Sequence, residues 1–202
     1  TGQVIQYEAL LRMVDTDGTL ISPRQFLGVA ESYGLIHAID RWVVRRSIRT
    51  IAAERRKRRR LDLGINLSAR AFSDPELLPL IQAELLEHDV SPSSLHFEIT
   101  ETAAIADMAP AKAFIETLTG LGCQFALDDF GAGFSSLLYL KQLPVSCLKI
   151  DGSFIERLPS HPVDQKMVKA VVTLARELGM RTVAEYVSCD QTLGLLRELG
   201  VD

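Results

Sequence analysis

Short apolar runs alternate with longer amphipathic stretches along this chain, and one run after another ends on a polar, usually acidic, residue. The runs read VIQYEALL, LDLGINLS, SLHFEIT, CQFALDD, SCLKID and RTVAE. Each is short and rich in Val, Ile, Leu or Phe, which predicts strands. The stretches between them predict helices over roughly 23–33, 38–58, 75–88, 110–121, 135–142, 163–179 and 190–199. Ser22-Pro23 and Ser73-Asp74-Pro75-Glu76 carry helix-start signals, and Gly122, Gly179 and Gly200 stand where helices stop. Alternating strand and helix argues for an α/β fold with a parallel sheet. In a barrel of that kind the carboxyl ends of the strands share one face, where catalytic groups gather. Here those ends carry Glu8, Asn66, Glu98, Asp128 with Asp129, Lys149 and Glu185.

Composition narrows the classes. The 202 residues suit one domain, somewhat short for a (β/α)8 barrel, which usually takes about 250 residues. An apolar share of 47% can build a large core, and 24% charged residues is ordinary for a folded domain. A formal charge of -4 argues against binding DNA or RNA polymers, which favours a basic face. The sequence has no apolar run long enough to span a membrane and no secretory leader pattern at Thr1-Gly2-Gln3, so a cytoplasmic location is expected. Cys123, Cys147 and Cys189 lack metal or redox spacing and read as reduced thiols. The basic run Arg55, Arg56, Lys57, Arg58, Arg59 and Arg60 closes a predicted helix, where cations complement the helix dipole, and it reads first as a solvated helix end.

The strand-end residues have a chemistry of their own. Glu8, Asn66, Glu98 and Asp128 offer hard oxygen ligands without Cys or His, which suits Mg2+ or Mn2+ rather than zinc or copper. Adjacent Asp128 and Asp129 repel unless a cation lies between them, and one carboxylate can bridge two metals about 3.5–4 Å apart. Lys149 supplies a positive charge that can hold a water or neutralise a leaving oxygen, Glu185 can accept the water's proton, and Arg12 offers a bidentate phosphate contact. Any one of these taken singly is more simply a helix cap or a surface residue. Their recurrence at successive strand ends is what favours a site. The histidines have no ligand spacing, and no GxSxG elbow surrounds Ser135-Ser136.

These same residues resemble the EAL domain family. Glu8-Ala9-Leu10-Leu11-Arg12 matches the signature that names it. The resemblance continues through Asn66-Leu67-Ser68, Glu98-Ile99-Thr100-Glu101, the run from Asp128-Asp129-Phe130-Gly131-Ala132-Gly133 to Phe134-Ser135-Ser136-Leu137, Leu148-Lys149-Ile150-Asp151 and Ala184-Glu185. It implies a modified TIM barrel that hydrolyses cyclic di-GMP to linear pGpG with two Mg2+ or Mn2+ ions, Ca2+ being inhibitory. By that resemblance Glu8, Asn66, Glu98 and Asp128 are ligands of a first metal, and Asp128 and Asp129 hold a second. Lys149 and Glu185 position and deprotonate the water, and Leu10 and Arg12 contact substrate. Glu101 braces the loop of residues 129–138, the alternative being that it caps the next helix. A homodimer and an upstream sensory or membrane-tethered signalling domain are the expected partners.

The sequence departs from the family pattern in three places. The strand that usually precedes the EAL motif and the segment carrying a glutamine after the last helix are not matched, so the chain reads as a single domain, 1–202, trimmed from a longer polypeptide and lacking the barrel's first and last strands. Tyr186 and Ser188 replace the usual Gly and second Glu of the AEGVE motif. The alternative to an enzyme is a catalytically silent cyclic di-GMP receptor. Silent relatives typically lose an acidic ligand, and none of the covered ones is lost here.

Overall fold

The computed structural model describes residues 3–132 and 137–202, with the side chains of Leu137 and Leu138 also left aside. The chain divides into two compact units, Thr1–Phe97 with Thr117–Gln124, and Glu98–Glu116 with Phe125–Asp202.

In the first unit β1 (Tyr7–Ala9) runs parallel to β4 (Leu63–Asn66), with Glu8 opposite Gly64. Between them in sequence come a two-stranded antiparallel hairpin, β2 (Met13–Val14) with β3 (Leu20–Ile21), and the helices α1 (Pro23–Ser32) and α2 (Ile36–Arg56). The hairpin had no counterpart among the expected elements, because a polar run of Asp15, Thr16, Asp17 and Gly18 hides two-residue strands. Its turn is built locally, Asp17 accepting the Thr19 amide at 2.9 Å. Ser22 and Gln25 form the capping box at the start of α1, with Pro23 at its first position as expected.

Helix α3 (Leu77–His88) packs on α2. It begins later than Pro75 predicts because the Asp74 carboxylate takes the Glu76 amide at 3.0 Å, turning the chain once more before the helix starts. Buried Glu84 ties the two helices, receiving Arg45 Nε at 2.8 Å and Arg49 Nε at 3.0 Å. Burial acts to raise its pKa, yet the two guanidiniums win and hold the carboxyl below its ordinary range.

Strand β5 (Leu95–Thr100) runs from the first unit into the second, and helix α5 (Met108–Leu121) runs from the second back into the first. The second unit continues with α4 (Glu101–Ala106), β6 (Gln124–Phe130), α6 (Leu137–Leu140), β7 (Cys147–Ile150), α7 (Gly152–Ile155), α8 (Pro162–Glu177), β8 (Arg181–Ala184) and α9 (Asp190–Leu199). Strand order is β1-β4-β5-β6-β7-β8, and β1 with β4, β6 with β7 and β7 with β8 pair in parallel. The six runs anticipated as strands are thus six neighbours in sheet order. Ile150, Ile155, Leu158, Val168, Val172 and Leu196 form a core that seats α8 and α9 behind β7. Helices α8 and α9 stop at left-handed Gly179 and Gly200, as read from the sequence. All three cysteines are free thiols.

One buried acid fixes the strand end that carries Asn66. Asp40 in α2 accepts the Ser68 hydroxyl at 2.5 Å and the Ser68 amide at 3.3 Å. Burial pushes its pKa up from 3.8 to about 6, against the lowering effect of the Ser68 hydrogen bonds. The folded state therefore holds this proton more tightly than the unfolded chain. The stabilisation is full below pH 3.8 and is lost as pH rises through about 6. Asp40→Asn, which keeps the shape without the charge, should gain on wild type by about 1–2 kcal/mol between pH 5 and 7.5. Urea unfolding at the two pH values reads this directly, and a gap that does not change with pH would refute it.

Candidate functional site

In the second unit the chemistry is organised around one lysine. Lys149 on β7 is buried, and its Nζ lies 2.5 Å from Glu98 Oε2 on β5, 2.8 Å from Glu185 Oε1 just beyond β8, and 3.1 Å from Asp128 Oδ1 on β6. An ammonium has three donors, and here three carboxylates meet it. Burial alone lowers the Lys149 pKa, but Glu98, Glu185 and Asp128 more than reverse this and raise it far above its ordinary value. The lysine stays charged throughout the accessible pH range.

The strand carrying the two aspartates is not regular. Leu127 pairs with Leu148 and Phe130 with Ile150, so Asp128 and Asp129 together stand opposite the single residue Lys149. This is a β-bulge, and Asp129 takes up the extra residue in the left-handed region, φ 53°. In a flat strand successive side chains leave by opposite faces. The bulge instead brings one carboxylate oxygen each from Asp128, Asp129 and Glu185 within 4.8 Å of one another. Burial, Asp128 and Asp151 all push the Asp129 pKa up, while Lys149 pulls it down.

Four carboxylates, Glu98, Asp128, Asp129 and Glu185, thus face one ammonium. The surplus negative charge, the all-oxygen donor set and the spacing fit a hard divalent cation. Glu185, read from sequence as a base, belongs geometrically to the same acidic cluster.

Glu101 is buried at the first position of α4. The cap of that helix is Thr100, whose hydroxyl accepts the Ala103 amide at 3.2 Å, so Glu101 is not a helix cap. Of the loop it was expected to brace, Gly133, Phe134, Ser135 and Ser136 lie outside the described residues. In the first unit, Asn66 Nδ2 donates to Glu8 Oε1 at 2.7 Å, so these two expected ligands hold each other at neighbouring strand ends. Leu10 is exposed, as is Arg12, whose Nη1 donates to the Leu11 carbonyl at 2.7 Å.

Two features escaped the sequence reading. Asp151, within the Leu148-Lys149-Ile150-Asp151 motif, caps α7 through the Ser153 amide at 2.9 Å and also perturbs Asp129. Tyr186, directly after Glu185, sits in the left-handed region, φ 52°, which explains why glycine is usual there. Its ring lies over Gly152, where a Cβ would come within 2.3 Å of Tyr186 Cδ2. A glycine on α7 makes room for the tyrosine that replaced a glycine beyond β8.

The model of the EAL domain matches residues 1–202. The chain belongs to the EAL domain family. It is similar to the bifunctional diguanylate cyclase/cyclic di-GMP phosphodiesterase MucR of Pseudomonas aeruginosa, 40% identical over 98% of this chain and 29% of that protein. It is also similar to the cyclic di-GMP phosphodiesterase PdeF of Escherichia coli, 36% identical over 98% and 26%. The EAL domain thus spans about a quarter of the length of these relatives. Among solved structures, the MucR phosphodiesterase in complex with c-di-GMP superposes with a TM-score of 0.90 at 39% identity, covering 96% of this chain and 79% of that one. The Xanthomonas citri FimX EAL domain in complex with c-di-GMP gives 0.92 at 27% identity, covering 98% and 78%.

Lys149 is therefore the group whose loss should be felt first in stability. Lys149→Met leaves the facing acids without their shared partner and should cost about 3–5 kcal/mol in chelator. A cation held by the folded cluster would stabilise it, so millimolar Mg2+ or Mn2+ should recover more stability in the variant than in wild type. Equal stability of the two proteins in chelator would show that the lysine does not hold the cluster together.

Proposed function

We propose that this EAL domain is a metal-dependent phosphodiesterase that hydrolyses cyclic di-GMP to linear pGpG. The observation that carries the reading is the bulged Asp128-Asp129 pair set against Lys149 and Glu185. It is supported by relatives named cyclic di-GMP phosphodiesterases. Asp128, Asp129 and Glu98 are proposed as ligands of Mg2+ or Mn2+, with Glu8 and Asn66 added on the strength of their motifs. Bound there, such ions would supply Lewis-acid stabilisation of the phosphate charge and lower the pKa of a water.

The protein's own groups then have distinct tasks. Lys149 carries a fixed positive charge that orients the attacking water and offsets charge on the phosphodiester oxygens. Glu185, 2.8 Å from the Lys149 ammonium, accepts the proton that the water loses. Arg12 and Leu10 are assigned to substrate contact. Glu101, buried beside Phe130, Tyr139 and Leu143, is assigned to holding the segment after β6. We further infer a homodimer working in the cytoplasm as part of a larger signalling protein.

The competing reading is a receptor that binds the nucleotide without turnover. Its specific support is Tyr186, a bulky residue in a backbone conformation that favours glycine, directly beside the proposed base. Incubation with cyclic di-GMP and Mg2+, with products separated by chromatography, distinguishes the two: pGpG is expected, and bound but intact nucleotide would establish the receptor.

Glu185→Gln should lower kcat by about 10²–10⁴-fold with little change in KM, as removal of a general base does. Chelator should abolish turnover, and Ca2+ should not restore it, because it favours longer bonds and looser geometry than Mg2+. Undiminished hydrolysis in chelator would overturn the metal assignment.

A further inference from the structure

The run of basic residues that closes α2 builds a cavity rather than only a solvated helix end. Arg55, Arg58, Arg59, Arg60, Ser91 and Ser94 line a pocket of about 300 Å³ within the first unit. Its floor includes buried Ile51 and Val90. We propose that this pocket binds a phosphate-bearing ligand carrying two or more negative charges, independently of the proposed phosphodiesterase activity.

The backbone argues first. The Arg59 amide bonds to the Glu54 carbonyl at 3.0 Å and the Arg58 amide to the Arg55 carbonyl at 2.8 Å, a helix end that places Arg58 in the left-handed region, φ 59°. Glycine is the usual occupant, since a side chain there costs about 1 kcal/mol. The chain uses glycine after α5, α8 and α9. At the end of α2 it keeps an arginine at that cost, and the turn places Arg58, Arg59 and Arg60 along the wall of one cavity.

The charges argue next. Glu54 engages Lys57 at 2.7 Å and Arg59 at 3.7 Å, Asp62 engages Arg60 at 2.9 Å, and Asp89 engages Arg55. Four of the six cations at positions 55–60 thus share three acids, and Arg56 and Arg58 have no ion pair among the described residues, of which Arg58 lines the pocket. Helix-dipole compensation accounts for one or two cations in the last turn and falls off beyond it. It does not account for Arg58, Arg59 and Arg60, which lie past the helix end. Four arginines lining one pocket repel one another as far as their acids leave them unanswered, and a multivalent oxyanion would offset that repulsion while accepting forked hydrogen bonds. The hydroxyls of Ser91 and Ser94 add neutral donors. The overall charge of -4 means that an anion would be held by this local geometry and not by a general basic field.

Inorganic pyrophosphate is the probe, titrated calorimetrically in chelator so that the acidic cluster of the second unit takes no part. Saturable binding is expected, weakening with salt, with a rise in Tm. Arg58→Gly suits the left-handed backbone and should keep or raise the Tm while weakening pyrophosphate binding at least tenfold, and Arg59→Ala should weaken it similarly. Vesicles containing cardiolipin, whose headgroup carries two phosphates, compared with phosphatidylcholine, separate the two sources of phosphate. Arg58-dependent co-sedimentation with the anionic vesicles alone identifies a lipid headgroup, whereas pyrophosphate binding without sedimentation identifies a soluble ligand. No saturable binding, or variants that bind as wild type does, would overturn the proposal and return the run to a solvated helix end.

Discussion

A buried ammonium among carboxylates is the constraint on which the second unit turns. Taking Lys149 out of water is costly, and so is taking Glu98 and Asp128 out of water beside it. Neither burial is tolerable alone. The three strands β5, β6 and β7 are held in register by backbone pairing and by side chains such as Ile150 and Leu148, and that frame brings the opposite charges to hydrogen-bonding distance. The apolar core therefore supplies the energy that keeps the polar centre assembled, while the polar centre selects one register. A slip of one residue in β7 would carry Lys149 to the other face and leave the acids unanswered.

The same constraint explains why the bulge lies where it does. An ordinary strand would point Asp128 and Asp129 apart. Spending one extra residue, with Asp129 in a conformation that favours glycine or a short polar side chain, puts both carboxylates beside Lys149. Asp151 on the next strand end then faces Asp129, and Tyr186 folds over Gly152 next to it. Of the non-glycine residues in the left-handed region, Asp129 and Tyr186 thus stand at the ends of β6 and β8, where the strain belongs to the geometry of the site.

Much of this was legible in the sequence because the signals were local. Each of the six strands is a run of apolar residues closed by its polar terminus, and α1, α8 and α9 announce themselves through Ser22-Pro23, Gly179 and Gly200. The acids were legible as a set because independent caps have no reason to recur at successive strand ends. What was not legible depends on pairs distant in sequence. The bulge exists only relative to β7, so no property of Asp129 by itself reveals it. The role of Glu185 in a cluster with Asp128 and Asp129 requires β6 and β8 to be placed first. The hairpin of β2 and β3 and the short α7 were missed for another reason, since elements of two to four residues carry no period to detect.

Asp129 connects the geometry of the centre to the ion proposed for it. It is the exposed member of the acidic cluster, it lies one residue before the end of β6, and its charge is opposed by Asp128 and Asp151. A cation between Asp128 and Asp129 would remove that opposition, so ion occupancy and the position of the residue are thermodynamically linked. Lys149 limits how far the linkage reaches. Because it already answers Glu98, Asp128 and Glu185, the inner part of the cluster has a partner with or without the ion, and the outer carboxylate is the one left to respond. Around the proposed ion the fold would then separate two tasks: the buried lysine holds the inner carboxylates together, and the bulged aspartate is the carboxylate left to respond to a cation.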